Sequence, residues 1–249
     1  MQKGVVMYAQ LNTKTVFSFM DATVKLTDYI TAAKTLGYQT LGISDVDNLH
    51  AAHQFITQAK AAGIQPVIGY ETTLLLDGLA INFTFIAKTN AGLQNLYSIS
   101  SKKNFGYNNF SDIHSHLCDV ALILPADSAV DSILTHLPQN DVFVGLAQPM
   151  AQGFLRPTIP FLSVRYLNAG DAETLAILHH VKNGTKYDDS LTSNHFESLR
   201  LESEVRALFD QQSLKNLDRL VSEISYDIVL DIFVLPRFDP EKPAVAELR

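Results

Sequence analysis

Short apolar runs alternate with amphipathic stretches along most of this 249-residue chain, and the two patterns predict strands and helices in turn. Apolar runs predict strands at residues 5–11, 40–44, 120–126, 142–147 and 159–167. Apolar positions at helical spacing predict helices at residues 22–37, 48–63, 91–101 and 171–184, and a further helix that ends near residue 137. Gly37 and Gly63 follow the first two helices, where glycine commonly ends a helix.

A further apolar run at residues 65–76 is followed by Asp77 and Gly78, which lead into another apolar run at residues 80–88. Asp-Gly is a preferred two-residue hairpin turn, because both positions require a positive φ angle. The sequence therefore predicts an antiparallel hairpin here, within a pattern that otherwise alternates strand and helix.

Strands that alternate with helices favour parallel pairing through right-handed crossovers. About seven strand–helix units by residue 185 therefore predict an α/β fold with a closed or nearly closed barrel. In such barrels the functional site lies at the carboxyl ends of the strands. The side chains that fall there are Gln10, Asn12, Asp45, Glu71 and Arg165.

The pattern changes after Ser190. Residues 202–228 predict two short helices with no strand between them, and residues 233–249 contain three prolines and no core pattern. The sequence thus predicts a barrel at residues 1–190 and a helical, proline-containing connector at residues 191–249.

The charge, the cysteine content and the lengths of the apolar runs limit the functions that this segment can have. The formal net charge is −7 and the longest basic run is Lys102-Lys103, which argues against a nucleic-acid-binding surface in this segment. The single cysteine, Cys118, excludes an intrachain disulfide and fits a reducing compartment. The first residues carry too short an apolar run for a signal peptide, and nothing approaches the roughly 20 apolar residues of a membrane span. These features predict a cytoplasmic protein.

The stretch YAQLNTKTVFS at residues 8–18 places Gln10, Asn12 and Lys14 on one face of a strand end. Three side chains on one face of a strand end are a common way to build a metal site. None of these three is a good metal ligand, however, because Asn is a weak donor and Lys carries a positive charge.

Several segments, in the right order, resemble one family. They include TLGISDVDNLHAA, GIQPVIGYE, IAKTNAGLQNLY and VLPRFDP, and the similarity covers nearly the whole chain. The chain resembles the N-terminal polymerase-and-histidinol-phosphatase (PHP) domain of bacterial DNA polymerase III alpha subunits. The resemblance implies a distorted seven-stranded α/β barrel whose strand ends hold two or three metal ions. It also implies that active members hydrolyse phosphoesters with a metal-bound water, and that the connector leads to a polymerase palm domain.

The resemblance also identifies the positions that correspond to the family's metal ligands, and most of them have lost the ligand. Asn12 and Lys14 stand for an H-x-H pair, and Val46 stands for the histidine that follows the retained Asp45. Asn82 stands for a further histidine, and Ser163 and Arg165 stand for a late D-x-H. Two acids, Asp21 and Glu71, are retained. The vestigial positions are thus Asn12, Lys14, Asp21, Asp45, Val46, Glu71, Asn82, Ser163 and Arg165.

A metal cluster is not expected at these positions. An ammonium group about 4 Å from a divalent ion costs roughly 8 kcal/mol at an effective dielectric near 20. We expect Lys14 or Arg165 to form a salt bridge with Asp45 or Glu71 instead, so that side-chain charge takes the place of metal charge. The alternative is that both cations extend to solvent and that Asp21 and Asp45 only cap helices.

The function that the resemblance implies is a non-catalytic PHP domain that braces the polymerase domains of a replicative DNA polymerase. Docking of a proofreading exonuclease or another replisome protein is a related role. The segment itself needs no cofactor; Mg would belong to the polymerase active site beyond Arg249, and DNA would be bound only there. The alternative is a free-standing metal-dependent phosphoesterase of the PHP superfamily, which would need the missing histidines.

Other chemically suggestive residues favour ordinary roles. His114 and His116 lie at a position that the family does not use, and His50 and His53 have no third ligand nearby in sequence. Adjacent histidines 179 and 180 cannot face one site together on a helix. Cys118 has no recognisable catalytic partner and is expected to be a partly buried thiol.

Overall fold

The structure is a computed structural model that describes residues 7–127, 130–137, 141–150, 153–168, 170–186 and 197–226. These residues form eight strands and eight α-helices. The strands are β1 (Asn12–Thr13), β2 (Thr40–Val46), β3 (Gln65–Leu76), β4 (Leu79–Ala87), β5 (Val120–Pro125), β6 (Val142–Leu146), β7 (Thr158–Pro160) and β8 (Ser163–Val164). The helices are α1 (Leu26–Thr35), α2 (Ala52–Ala61), α3 (Asn90–Asn104), α4 (Phe110–Ile113), α5 (Val130–Leu134), α6 (Asp171–Asn183), α7 (Glu202–Leu208) and α8 (Gln211–Ser222).

The strands form a curled, mostly parallel sheet that closes on itself. Six strands pair in the order β2-β3-β4-β5-β6-β7, and β1 pairs in parallel with β8. A bridge between Gln10 and Leu41 joins the β1 segment to β2, and only Phe161 and Leu162 separate β7 from β8. Counted as one interrupted strand, β7 and β8 give seven strands around the ring. The predicted fold class, a distorted seven-stranded α/β barrel, is confirmed.

The predicted hairpin is also confirmed. β3 and β4 pair antiparallel over eight residue pairs, from Gly69 opposite Ile86 to Leu76 opposite Leu79. Asp77 and Gly78 form the turn with φ angles of 50° and 81°, the left-handed backbone that this turn requires. Glu71 lies on β3 of this hairpin, so the pairing of β3 with β4 fixes its position along the barrel axis.

The first strand lies later in the chain than predicted. The ladder involves Asn12 and Thr13, whereas the prediction placed a strand at residues 5–11; residues 5 and 6 of that range lie outside the described residues. The segment before β1 is held against β2 by a hydrogen bond from the Gly42 amide to the Gln10 carbonyl, 2.6 Å long. A Cβ atom at residue 42 would lie 2.8 Å from the backbone of Leu11, so this approach requires glycine.

The predicted helix caps are wrong. α1 begins after Lys25, which makes no side-chain capping bond, so Asp21 does not cap this helix. α2 begins after Ala51, again without a side-chain cap, so Asp45 does not cap it either. Both acids bond to other partners, Asp45 to Thr15 and Ser18 and Asp21 to Arg165, so neither side chain is at a helix end.

The two helices after residue 197 pack against the barrel. Leu214, Leu217 and Leu220 of α8 belong to the same apolar core as the strands. Lys88, just after β4, forms salt bridges with Asp141 and Glu223, at 2.7 and 3.1 Å. α7 and α8 confirm the two predicted helices. The boundary at residue 190 stays a prediction, and the proline-containing end lies outside the described residues.

Tyr226 fixes the end of this helical segment to the base of the hairpin. Its hydroxyl donates to the Ala87 carbonyl at 2.6 Å and accepts from the Ile68 amide at 3.1 Å. The Tyr226 carbonyl in turn accepts from Lys60 Nζ at 2.6 Å. One side chain therefore joins β3 and β4 at the end of the barrel opposite the predicted site.

Buried tyrosines predict a loss of stability at alkaline pH. Burial raises the pKa of Tyr8, Tyr29, Tyr38 and Tyr226, and it raises the pKa of Tyr70 to about 12. Above pH 10 the unfolded chain releases these protons while the folded chain keeps them. We expect the unfolding free energy, measured by urea titration, to fall from pH 10 to 12 by up to about 1.4 kcal/mol per pH unit for each such tyrosine. An unfolding free energy that stays constant across this window would contradict the assignment.

Candidate functional site

Several of the positions that the resemblance singled out lie near one another at one mouth of the barrel. Asn12 on β1 is opposite Ser163 on β8, and Val46 on β2 is opposite Glu71 on β3. Lys14 follows directly after β1, and its amide donates to the Val164 carbonyl at 2.9 Å. Strand ends from four different parts of the sequence thus lie near one another at this mouth.

Lys14 lies at the centre of this region. Its side chain is 0% exposed, and its Nζ donates to Glu71 Oε2 at 2.6 Å and to Asn12 Oδ1 at 2.7 Å. The predicted salt bridge between Lys14 and Glu71 is confirmed, and the alternative in which Lys14 extends to solvent is wrong. Burial lowers the pKa of the Lys14 ammonium, and the Glu71 carboxylate opposes this effect.

Glu71 is held from the hairpin side as well. Its Oε1 accepts from Asn82 Nδ2 at 3.2 Å and its Oε2 accepts from Thr84 Oγ1 at 3.4 Å, both on β4. Thr84 is directly opposite Glu71 in the β3–β4 register. The Glu71 carboxylate therefore lies between the Lys14 ammonium, directly after β1, and two polar side chains on β4.

Asp45 is buried, with 2% of its surface exposed, and it is satisfied without a cation. Its oxygens accept from the Thr15 amide, the Thr15 hydroxyl and the Ser18 hydroxyl, at 2.6, 2.7 and 2.7 Å. Asp45 thus fixes the loop that follows β1, a role that the sequence analysis did not predict.

Arg165 pairs with Asp21, whereas the sequence analysis expected it to reach Asp45 or Glu71. Its guanidinium bonds to Asp21 Oδ2, and Arg165 Nε lies 3.2 Å from Glu197 Oε1. The Arg165 and Asp21 side chains are only 20% and 17% exposed. The mouth therefore contains two separate cation–carboxylate pairs, one formed by Lys14 and one by Arg165.

Two residues of α6 complete the second pair, and sequence reasoning missed them. His179 Nε2 lies 3.2 Å from Asp21 Oδ1 and Lys182 Nζ lies 3.9 Å from the same oxygen. Their spacing of three residues puts both on one helix face. That spacing was visible in the sequence, but nothing local links it to Asp21. His180 contacts Thr185 instead, as expected for adjacent histidines with different directions.

The remaining candidates have structural or surface positions. Gln10 is buried and donates to the Leu162 carbonyl at 2.8 Å, so it helps to close the ring. His114 and His116 form a short 3-10 turn, and His50 and His53 are exposed, as expected. Cys118 is exposed, so the expectation of a partly buried thiol is wrong.

Within the described ranges, no group of three or more His, Cys, Asp or Glu residues is arranged to hold a metal ion. Among the helices in the same ranges, none has the length and apolar character to cross a bilayer.

A ring of mostly parallel strands with polar side chains at one mouth is an α/β barrel with its candidate site at the strand ends. The family model described as the PHP domain matches residues 10–134 of this chain. The chain belongs to the PHP domain family.

The curated relatives extend this similarity over nearly the whole chain. DNA polymerase III subunit alpha of Streptococcus pyogenes serotype M1 is 33% identical over 249 residues, which cover 98% of this chain and 24% of that protein. The same subunit of Staphylococcus epidermidis is 29% identical, covering 93% of this chain and 22% of that protein. The chain therefore spans about a quarter of the length of the curated relatives that it matches.

Solved structures show more distant similarity. A two-domain protein of Bacteroides vulgatus, described as containing a predicted PHP-like metal-dependent phosphoesterase, is 11% identical with a TM-score of 0.43, covering 87% of this chain and 69% of that chain. An amidohydrolase of Chromobacterium violaceum is 10% identical with a TM-score of 0.39, covering 80% of this chain and 96% of that chain. Similarity at this level says nothing about the chemistry of this chain.

The Arg165–Asp21 pair predicts a measurable contribution to stability. We expect Arg165→Ala to lower the unfolding free energy by about 2 to 3 kcal/mol, because it leaves a mostly buried carboxylate with weaker partners. The expected loss is at the low end for buried pairs, because His179 and Lys182 still face Asp21. Urea denaturation measures it, with the exposed Lys25→Ala as the control and an expected change within about 0.5 kcal/mol. Equal losses in the two variants would contradict the assignment.

Proposed function

We propose that this chain is the PHP domain of a bacterial DNA polymerase III alpha subunit and that residues 1–249 carry no catalytic chemistry of their own. The first part is supported by the 33% identity that covers 98% of the chain. The second part is supported by one observation, the buried ion pair between Lys14 and Glu71.

The residues at the mouth do not fit a divalent metal ion. The oxygens that would ligate one already accept hydrogen bonds. Those of Glu71 and Asn12 accept from Lys14. Those of Asp45 accept from Thr15 and Ser18. An ammonium about 4 Å from a divalent ion would be repelled by roughly 8 kcal/mol at an effective dielectric near 20. No imidazole occupies the positions of Asn12, Lys14 or Val46, where the family resemblance implies one.

The role that this arrangement supports is a structural one. α7 is attached to the start of the chain by Glu202, which is 3% exposed and accepts from the Tyr8 amide at 2.6 Å. α8 is attached by the salt bridge between Lys88 and Glu223 at its end and by the shared core. A barrel joined in this way to the helices that follow it is suited to brace the polymerase domains of the same subunit. A proofreading exonuclease or another replisome protein is the further partner that we propose.

The parent protein would be a DNA-directed DNA polymerase, a cytoplasmic nucleotidyltransferase of DNA replication. Its Mg-dependent active site and its DNA contacts would lie outside residues 1–249. Residues 191–249 would form the connector to the palm domain. A free-standing metal-dependent phosphoesterase is the alternative, and the engaged oxygens at the mouth disfavour it.

The proposal predicts that the purified segment holds no stoichiometric zinc, manganese or iron and hydrolyses no phosphoester. The physical reason is that the Lys14 ammonium lies between the Asn12 and Glu71 oxygens that a metal ion would need as ligands. Elemental analysis and phosphate release measure the two properties, with a chelator-treated sample as the control. About one metal ion or more per chain, together with hydrolysis that the chelator abolishes, would favour the phosphoesterase.

A second prediction concerns DNA. We expect the isolated segment to bind duplex DNA weakly or not at all at physiological salt, because its net charge is −7. Fluorescence anisotropy with a labelled duplex at several salt concentrations measures this. Tight binding with a steep salt dependence would show that this segment itself contacts the template.

A further inference from the structure

The mouth of the barrel contains a preformed environment for a cation. Glu71 is positioned by Asn82 and Thr84 on its own hairpin, so its place does not depend on Lys14. Asn12 adds an amide oxygen from β1, whose backbone is fixed by its pairing with β8. The oxygens therefore converge from two independent parts of the sheet.

A positive charge between these oxygens offsets a large desolvation cost. The Glu71 side chain is 12% exposed, and an unpaired carboxylate at that depth is strongly unfavourable. Asp45 is close enough to favour the charged form of Lys14 as well. The local charge at the mouth would be negative without the ammonium.

The second cation cannot supply this charge. Arg165 is engaged with Asp21 and Glu197, on the β8 side of the mouth. Its charge repels Lys14. Glu71 thus depends on Lys14 alone among the charged groups that contact it in the described part of the chain.

We propose that Asn12 and Glu71 form a binding site for a primary ammonium ion, with Thr84 positioning Glu71, and that the chain fills this site with its own Lys14 side chain. The site has a defined ligand class, alkylammonium, because Lys14 Nζ donates to two oxygens at hydrogen-bond distance and its aliphatic stem is fully buried. The inference concerns the same region as the proposed function but does not depend on the polymerase assignment.

Chemical rescue tests this directly. Lys14→Ala removes from the side chain a group with the shape of n-propylammonium and leaves a cavity beside Glu71. We expect the variant to melt about 6 to 20 °C below the wild-type chain. Added n-propylammonium chloride should raise its Tm by about 3 to 6 °C at ten times the dissociation constant.

Four controls, two proteins and two compounds, identify the cause of the rescue. The wild-type chain and Lys14→Ala/Glu71→Gln should gain no specific stabilisation, since one has a filled site and the other lacks the carboxylate. Propan-1-ol, which has a similar shape without the charge, and tetramethylammonium chloride, which is too bulky, should not rescue Lys14→Ala. Equal Tm shifts in all three proteins, or equal rescue by propan-1-ol, would overturn the proposal.

A second comparison covers the case in which Lys14→Ala does not fold. Lys14→Met keeps the aliphatic stem but leaves Glu71 charged and unpaired, whereas Lys14→Met/Glu71→Gln removes both charges. The double variant should melt at a higher temperature than Lys14→Met alone, because a neutral amide no longer requires a cation. A double variant no more stable than Lys14→Met would overturn the proposal. Either result leaves the metal analysis of the wild-type chain, and so the proposed function, unaffected.

Discussion

The parallel pairing of β1 with β8 is the contact on which the rest of the site depends. It involves only two residue pairs, Asn12 with Ser163 and Thr13 with Val164, yet it joins the start of the chain to a segment 150 residues later. The two side chains that follow these strands, Lys14 and Arg165, are brought to one mouth by this pairing. A strand pair this short has little stability alone, so the core around it and the Lys14 amide bond to Val164 must support it.

The charges at the mouth connect parts of the ring that the sheet does not. Lys14 and Glu71 join β1 to β3, which are separated in the ring by β2. Arg165 and Asp21 join the end of β8 to the segment before α1. Buried ion pairs are weak evidence for stability as such, because desolvation cancels much of their attraction. Their value here lies in fixing which elements meet, since a charge left without its partner would be costly.

The features that could be predicted from the sequence were local or came with the family resemblance. The β3–β4 hairpin follows from the two residues Asp77 and Gly78, whose backbone preference is independent of the rest of the chain. The Lys14–Glu71 pair followed from positions that the resemblance aligned.

The features that were missed depend on long-range contacts. β1 is defined by its pairing partner, so the apolar run before it misled the prediction. Asp21 does not cap α1, because Arg165 holds its side chain, and the Thr23 amide beside it donates to the Arg165 carbonyl at 2.9 Å. His179 of α6 has no sequence signal that relates it to Asp21.

The contacts of the Tyr226 hydroxyl affect when the fold can be completed during synthesis. It completes the hydrogen bonding of Ile68 and Ala87 at the base of the hairpin, although it is synthesised long after both strands. The ring likewise waits for residues 163 and 164 before β1 has a partner. Contacts of such high sequence separation slow folding. On the ribosome, the hairpin can form early, but its base and the mouth of the barrel stay incomplete until most of the chain has emerged.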